Sequence, residues 1–493
     1  MNKIFTLLLI SVSLFSTSCD PDDEDIVENE PVVSQFVYDG MSTYYLWADG
    51  MKSKTPTQAN ENAPEDYFYS LLNPLDTENE WSWITDDVDA LLADFSGTPK
   101  DFGWSLALYR VTGTNDVEAY VKYVFPNTPA ANAGVKRGEI IFQIGGGPLT
   151  TSNYTQLFGG NTISVGVGNL QTSSSRTVTL TPVTIQTNPV LIDTVYRDRP
   201  EFAGKKIGYL FYSDFIAPYN AQLYNSFLDF KAQGVTDLVI DLRYNHGGGI
   251  EAANYLASLI APRTHVESNK PFVKLHYNSF LNSLFSEGSR TDSLGVVGGI
   301  TPLGANLNLN KVYIIATDDS YSAAELLTFC LRPYMQVVHI GSNTGGKFTA
   351  SITIHAYDDQ NDKAATVYDE GELSSQQKSK LDNWAMQPIV AKYGDGVGGD
   401  FENPGYLVPD VPVTSIENQP DLWKPLGDKD DYLLAEAISL ITGLPAPAAS
   451  QTKTVPRSVN GLQKIFSPMD AILKESVQLD QPQKRLNPRR VNR

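Results

Sequence analysis

The rhythm of hydrophobic and polar positions changes three times along the chain. Between about residues 32 and 96, apolar positions recur at helical spacing. Phe36-Val37, Met41 and Tyr44-Tyr45 share one face, and Asp66 to Leu72 and Asp86 to Phe95 repeat the pattern. Aromatics are dense here (Tyr38, Trp47, Tyr67, Phe68, Trp81, Trp83), and at that spacing they are expected to be core rather than a ligand platform. From about 100 to 185 the signal turns to short strands. Ala119 to Val124 reads as a strand, and Arg176 to Thr181 alternates with period two. From about 190 to 442 strands and helices alternate. Lys206 to Phe211 is a strand, and Gln222 to Ala232 is an amphipathic helix carrying Leu223, Phe227 and Phe230 on one face, with Gly234 as its stop. Leu238 to Ile240 and Val312 to Ala316 are unbroken apolar runs, as in strands covered by helices on both faces. The expected fold class is multidomain α/β and α+β: a helical region at 32–96, a small β-rich domain at 97–187 and an α/β core at 188–442. Residues 357 to 400, polar and ending in the glycines of 394–399, look like an insertion, either a cover for a cleft or a surface loop.

Both ends of the chain read differently. Lys3, the apolar run Ile4 to Phe15 and the small residues Ser16-Thr17-Ser18 form a secretory signal at 1–18, too short to span a bilayer stably. Cys19 follows directly. A cysteine after small residues resembles the lipidation site of bacterial lipoproteins, which implies a lipid on Cys19 and an envelope location at the outer membrane. The acidic run Asp20 to Asp25 cannot bury apolar area and reads, over 19–31, as a solvated tether. It resembles the acidic run after the lipid cysteine in surface-exported lipoproteins of Bacteroidetes-like bacteria. Residues 443–450, GLPAPAAS, open a linker and basic tail over 443–493. The residues after Ser450 carry nine Lys+Arg and three Asp+Glu, a +6 segment on a −26 body.

Charge and composition narrow the function. The 37 Lys+Arg against 57 Asp+Glu leave a net charge of −20 and no basic footprint for nucleic acid. Two cysteines, Cys19 and Cys330, build no disulfide framework or cysteine-rich zinc site. The five histidines are scattered without H-x-x-x-H or H-E-x-x-H spacing, which speaks against a zincin site. Cys330, mid-helix among apolar neighbours, is expected to be a buried thiol rather than a nucleophile.

Three segments carry chemistry. Asp241-Leu242-Arg243-Tyr244-Asn245-His246-Gly247-Gly248-Gly249 follows a buried strand and opens a helix. A glycine run there presents backbone N–H groups to an anion or a developing oxyanion. Ser320-Tyr321-Ser322-Ala323-Ala324-Glu325 also leads from a buried strand into a helix. Ser322 then points to the carboxyl ends of the strands, where open α/β sheets place their sites, but Ser322-x-x-Glu325 is equally a capping box. The third segment is Gly341-Ser342-Asn343-Thr344-Gly345-Gly346-Lys347. Together, and in this order, they resemble the C-terminal processing (tail-specific) serine peptidases, with D-L-R-x-N-x-G-G, a small-x-S-A-x-E turn and G-x-x-T-x-G-K. The family's serine-to-lysine interval of 25 residues is matched by Ser322 and Lys347.

Upstream, Pro129 to Ile141 (PAANAGVKRGEII) resembles the permuted PDZ domain of bacterial proteases, with Asp101-Phe102-Gly103-Trp104 in the place of its carboxylate-binding loop. The resemblance implies a ClpP/crotonase-like peptidase core, with neither a metal nor an organic cofactor. It makes Ser322 the nucleophile, Lys347 its base, Glu325 an assisting group, and Gly247, Gly248 and Ala323 the oxyanion hole. Phe102, Gly103 and Trp104 then receive the peptide, and protein or peptide substrates are the expected partners. A serine hydroxyl needs a nearby base, and a lysine serves when burial favours its neutral amine. The family's lysine-orienting Gln, four residues after the lysine, is Ser351 here, which leaves the third member open. Asp241 and Arg243 are expected to hold the loop, and Gly405 to Asp410 to close the fold. The rival class is a non-catalytic peptide- or ligand-binding envelope lipoprotein on the same fold, including a glycan-associated one.

Overall fold

Parallel strand pairing organises the core. In the computed structural model, the strands Ile207–Tyr212, Asp237–Asp241, Lys311–Ala316, Gln336–Gly341 and Val411–Pro412 run parallel in that order, and Val190–Tyr196 adds an antiparallel edge. The structure describes residues 30–446, apart from 170, 171, 173, 359–362, 364, 401–403, 414–416, 418 and 419, together with 462–465 and 477–478. The signal segment and Cys19 lie outside the described residues, as do most of the acidic tether and most of the tail.

Alternation along the first strand explains the layering. Ile207, Tyr209 and Phe211 face the helix Tyr432–Thr442, whereas Leu210 and Tyr212 face Leu223 and Phe227 of the helix Asn220–Gln233. All five strand positions are fully buried, each stabilising the fold by roughly 1.5–3 kcal/mol relative to exposure. Gly234 ends the Asn220 helix in a left-handed turn at φ 72°, as its place in the sequence predicted. Because the strands run parallel, the loops holding Gly247, Ser322 and Lys347 leave the same edge of the sheet.

A second sheet follows the lysine loop: Thr349–Ser351, Ile389–Asp395, Pro271–Tyr277 and Thr291–Ser293 pair in that order. The stretch 357–400 is therefore not a surface loop throughout. Its second half supplies the Ile389–Asp395 strand, which pairs on both sides and is buried at six of seven positions.

The strands Trp104–Val111, Val117–Val124, Glu139–Ile144, Ile163–Asn169 and Ser174–Leu180 form an antiparallel sheet around a core of its own, centred on Phe102, Leu106, Val121, Ile141 and Val165. The short helix Pro129–Asn132 is followed by Gly134 and Gly138 at φ 72° and 81°, a conformation that favours glycine at each turn. The side chains of Tyr123, on the second of these strands, and Phe125, just beyond it, pack outside this core in the cluster that holds Phe211.

The N-terminal helix Val32–Tyr44 buries Phe36, Val37 and Met41 completely in the main core. Most of the aromatics of 32–96 are core, Tyr69 being the large exposed one. The following strand Trp83–Thr85 pairs with Ala385–Gln387, and the amide of Leu46 donates to the carbonyl of Ile389 at 2.8 Å. Among the described residues, no helix is long and apolar enough to cross a membrane.

Candidate active site

The turn after Lys311–Ala316 is tied down before it reaches Ser322. Ser320 Oγ donates to Leu242 O at 2.7 Å, and the Tyr321 amide donates to Asn245 O at 3.0 Å. Ser322 then sits at φ 57°, ψ −113°, where an L-residue is strained. It precedes the helix Ala323–Cys330, and the first half of a capping box is made: its amide donates to Glu325 Oε2 at 2.8 Å. The hydroxyl's approach to the opposing amide falls short of hydrogen-bonding geometry, and Oγ is buried without a partner. A serine needed only as a cap would satisfy its hydroxyl there.

Lys347 is fully buried. Its amide donates to the same Glu325 Oε2 at 2.8 Å. On the other side, Tyr393 Oη sits 3.0 Å from Ser322 O and 2.8 Å from Lys347 O, sharing its proton between the two carbonyls. One carboxylate oxygen and one phenol therefore clamp the two backbones together. Glu325 Oε1 accepts from Thr344 Oγ1 and from the Gly346 amide. Burial pushes the Glu325 carboxyl up to about 7 against the opposing pull of the Thr344 hydroxyl and the amides of Lys347, Gly346 and Ser322. All these contacts are to backbone or Thr344, so in this arrangement Glu325 is a positioning group rather than the assisting side chain of the family resemblance.

Gly247 and Gly248 face the serine from the neighbouring loop. A Cβ on Gly247 would lie 2.7 Å from Ser322 Cβ and 3.0 Å from the Ala323 nitrogen, and its φ of 111° already favours glycine. The Gly247 amide donates to Asn245 Oδ1 at 2.8 Å. Of the two glycines expected to stabilise an oxyanion, Gly247 thus has its amide engaged within its own loop. Gly248, at φ 127°, passes so close to Phe215 that a Cβ would meet its carbonyl oxygen at 2.3 Å.

Arg243 holds the loop from behind. Its guanidinium reaches Asp241 at 2.8 Å, Asp431 at 2.6 Å and Glu417 at 2.9 Å, all within the fold. Asp431 is held below the usual carboxylate range: burial opposes the shift, and Arg243 outweighs it. Leu407 and Thr344 exchange hydrogen bonds, which docks the Gly405–Asp410 segment against the lysine loop. Cys330 is fully buried and its thiol is pushed well up by burial.

Sequence reasoning missed three residues. Tyr393 lies in the stretch read as an insertion. Asp76 and Ser82 come from the N-terminal region: Ser82 Oγ donates to Asp76 Oδ2 at 2.6 Å and accepts from the Ile389 amide at 2.8 Å. Ile389 is in register with Ser351, and Trp81 packs edge-on against Phe348 at 5.5 Å. Burial raises the Asp76 carboxyl, while Ser82, Tyr45 and the charge of Lys347 pull it back. Ser351 is fully buried on the strand after Lys347. No local pattern in the sequence links residues 76–82 to 351.

At the small sheet, Phe102 and Trp104 are buried, and Trp104 Nε1 donates to Leu157 O at 3.0 Å. The Gly103 amide donates to Asp101 Oδ1 at 2.5 Å. Burial raises the Asp101 carboxyl, and the amides of Gly103, Phe102 and Trp104 oppose that shift. The chain's own carboxylate thus stands where the peptide carboxylate was expected. A cavity runs from Trp104 and Leu106 to Gly247 and Gly248, with Asp101 and Asp214 in its wall.

A buried serine and a buried lysine stand at adjacent strand ends of a largely parallel sheet with their backbones clamped together, in a fold of the α/β class. The sequence model of peptidase family S41 matches residues 206–413, and that of the peptidase S41 N-terminal domain matches 33–83. The chain belongs to peptidase family S41. It is 25% identical over 325 residues to a carboxyl-terminal-processing protease of Picosynechococcus, covering 64% of this chain and 65% of that one. It is 24% identical over 238 residues to a chloroplastic C-terminal processing peptidase of Tetradesmus obliquus, covering 45% and 46%. The matches thus span less than two thirds of either relative. A structure described as an S41 protease from Bacteroides fragilis superposes with a TM-score of 0.62 at 24% identity, over 83% of this chain and 97% of that one, and shows the same fold.

Proposed function

We propose that this chain is a serine endopeptidase of the cell envelope, acting on extended protein or peptide substrates through a Ser322–Lys347 dyad. The observation that carries the reading is the double clamp: Glu325 and Tyr393 bind the backbones of both residues, while Ser322 Oγ stays buried and unpaired. Lys347 Nζ takes the Ser322 hydroxyl proton as Oγ attacks the peptide carbonyl. The Ala323 and Gly248 amides receive the oxyanion, a donor pair of which each member is worth about 3–4 kcal/mol in such sites. Collapse expels the amine, which takes the proton from Lys347. Water, deprotonated in turn by Lys347, then hydrolyses the acyl-enzyme.

The small sheet supports a PDZ-like reading, with strand addition beside Trp104–Val111 as its mode of peptide binding. The intramolecular contact of Asp101 weighs against a free C-terminus as the recognised feature. The signal segment and Cys19 support attachment by lipid to the outer membrane, with a periplasmic or surface-facing body.

The test is cleavage of an unfolded protein by the purified chain, with Ser322→Ala and Lys347→Ala beside it. Loss of cleavage in both variants, with folding retained, is expected. Equal cleavage by all three would overturn the dyad. A folded chain that cleaves nothing would favour the binding-protein class.

A further inference from the structure

The peptide route is already filled by a part of this chain. The tail segment Leu462–Ile465 adds antiparallel to the free edge of Trp104–Val111, from Leu462 opposite Val111 to Ile465 opposite Leu108. It therefore advances toward the Asp101–Trp104 turn. Farther on, Val477–Gln478 runs parallel to Gly248–Gly249, and Gln478 is also in register with Ser351. Without these two residues, Gly248–Gly249 has no partner in the second sheet, and a slot one strand wide separates it from Ser351. One wall of the slot is the glycine pair beside Ser322, and the other is the strand after Lys347. An extended peptide fills such a slot by backbone hydrogen bonding alone.

Charge supports the same occupant. Lys464 Nζ donates to Asp319 Oδ1 at 2.6 Å and lies 3.6 Å from Asp318, both in the turn that leads to Ser322. Burial disfavours the Asp319 carboxylate, yet Lys464 and Lys122 outweigh it and hold its carboxyl well below the usual range. The residues after Ser450 are +6, whereas the rest of the chain is −26.

Resting on the peptidase reading, we infer that the basic tail is an intramolecular competitor: it occupies the edge of Trp104–Val111 and the slot beside Ser322, and protein substrates must displace it. A tether of this kind holds its ligand at an effective concentration of about millimolar, so modest intrinsic affinity suffices. Only the chain's own backbone pairing and one ammonium are needed, which makes the restraint reversible.

The experiment compares the full chain, a chain ending at Ala446 and full-length Lys464→Glu on one unfolded substrate. Removing the tail is expected to raise kcat/KM by about 5- to 100-fold, and Lys464→Glu by a smaller factor, since an apparent affinity scales with the fraction of open molecules. A synthetic peptide of residues 458–482 should inhibit the truncated chain competitively. Equal rates in all three chains, or trimming of the tail without any gain in turnover, would overturn the inference. Binding separates it from the activity itself. Labelled peptide should bind the truncated Ser322→Ala chain, and the Lys464→Glu peptide more weakly. Should no chain cleave, peptide binding of this kind would still support occupancy, and its absence would dismiss it.

Discussion

Glu325 shows how one side chain can organise two others without touching their reactive atoms. Its four donors converge from Ser322, Thr344, Gly346 and Lys347. Burial nevertheless raises its carboxyl to about 7. A raised folded-state value means that this group's contribution to stability is complete below the unfolded value of about 4.5 and is lost as pH rises through 7. The wild-type chain should lose about 3 kcal/mol relative to Glu325→Gln between pH 4 and pH 8, read from the difference in slope of denaturant midpoints against pH. The Gln variant offers one acceptor oxygen, and in either orientation its amide nitrogen would face at least one backbone amide donor. Its kcat should fall at every pH with KM little changed. Tyr393→Phe removes the other half of the clamp. About 1–2 kcal/mol of stability should go with it, and kcat should fall more than KM rises, as steady-state kinetics on a folded variant would show. Ser322 and Lys347 were legible from residue type, order and interval. Tyr393 was not, because its partnership with residues 46 to 71 positions away depends on strand register rather than on any local motif.

Elements set how closely these residues approach. The glycine loop is legible in the sequence as a place where backbone must come near something, and the structure shows what: Ser322 for Gly247 and Phe215 for Gly248. Gly247→Ala should push the serine aside and strain a φ of 111°. A fall in kcat of about 100-fold is expected, with circular dichroism unchanged, because displacement of an ångström is enough to cost that much. The Ile389–Asp395 strand was hidden by its surroundings. Its apolar start is only three residues long, and the glycines of 394–399 read as a loop. The parallel core strands were plain by contrast, because burial on both faces writes continuous apolar runs.

At the scale of the whole molecule, the N-terminal region is a working part of the core and not an appendage. Asp76 accepts from Tyr45 Oη, the Ser82 amide and Ser82 Oγ, and Ser82 in turn anchors Ile389. Asp76→Ala should cost about 3 kcal/mol by stranding three buried donors, measured by chemical denaturation. It should lower activity beyond what that loss of stability explains, since Lys347 then loses a neighbouring carboxylate. The order of elements, helices first, then short strands, then alternating strands and helices, was legible from periodicity. How the regions interlock was not, since Asp76 and Ser82 stand some three hundred residues from Ile389.

The same clamp dates the moment at which the molecule can act during its synthesis. Tyr393 is made 71 residues after Ser322, and chains are built from the N-terminus. A nascent chain that has just completed Lys347 already carries the proposed nucleophile and base, but nothing yet bridges their carbonyls. Such a chain holds the residues of the site without their geometry, which is completed only when the strand that carries Tyr393 has been added.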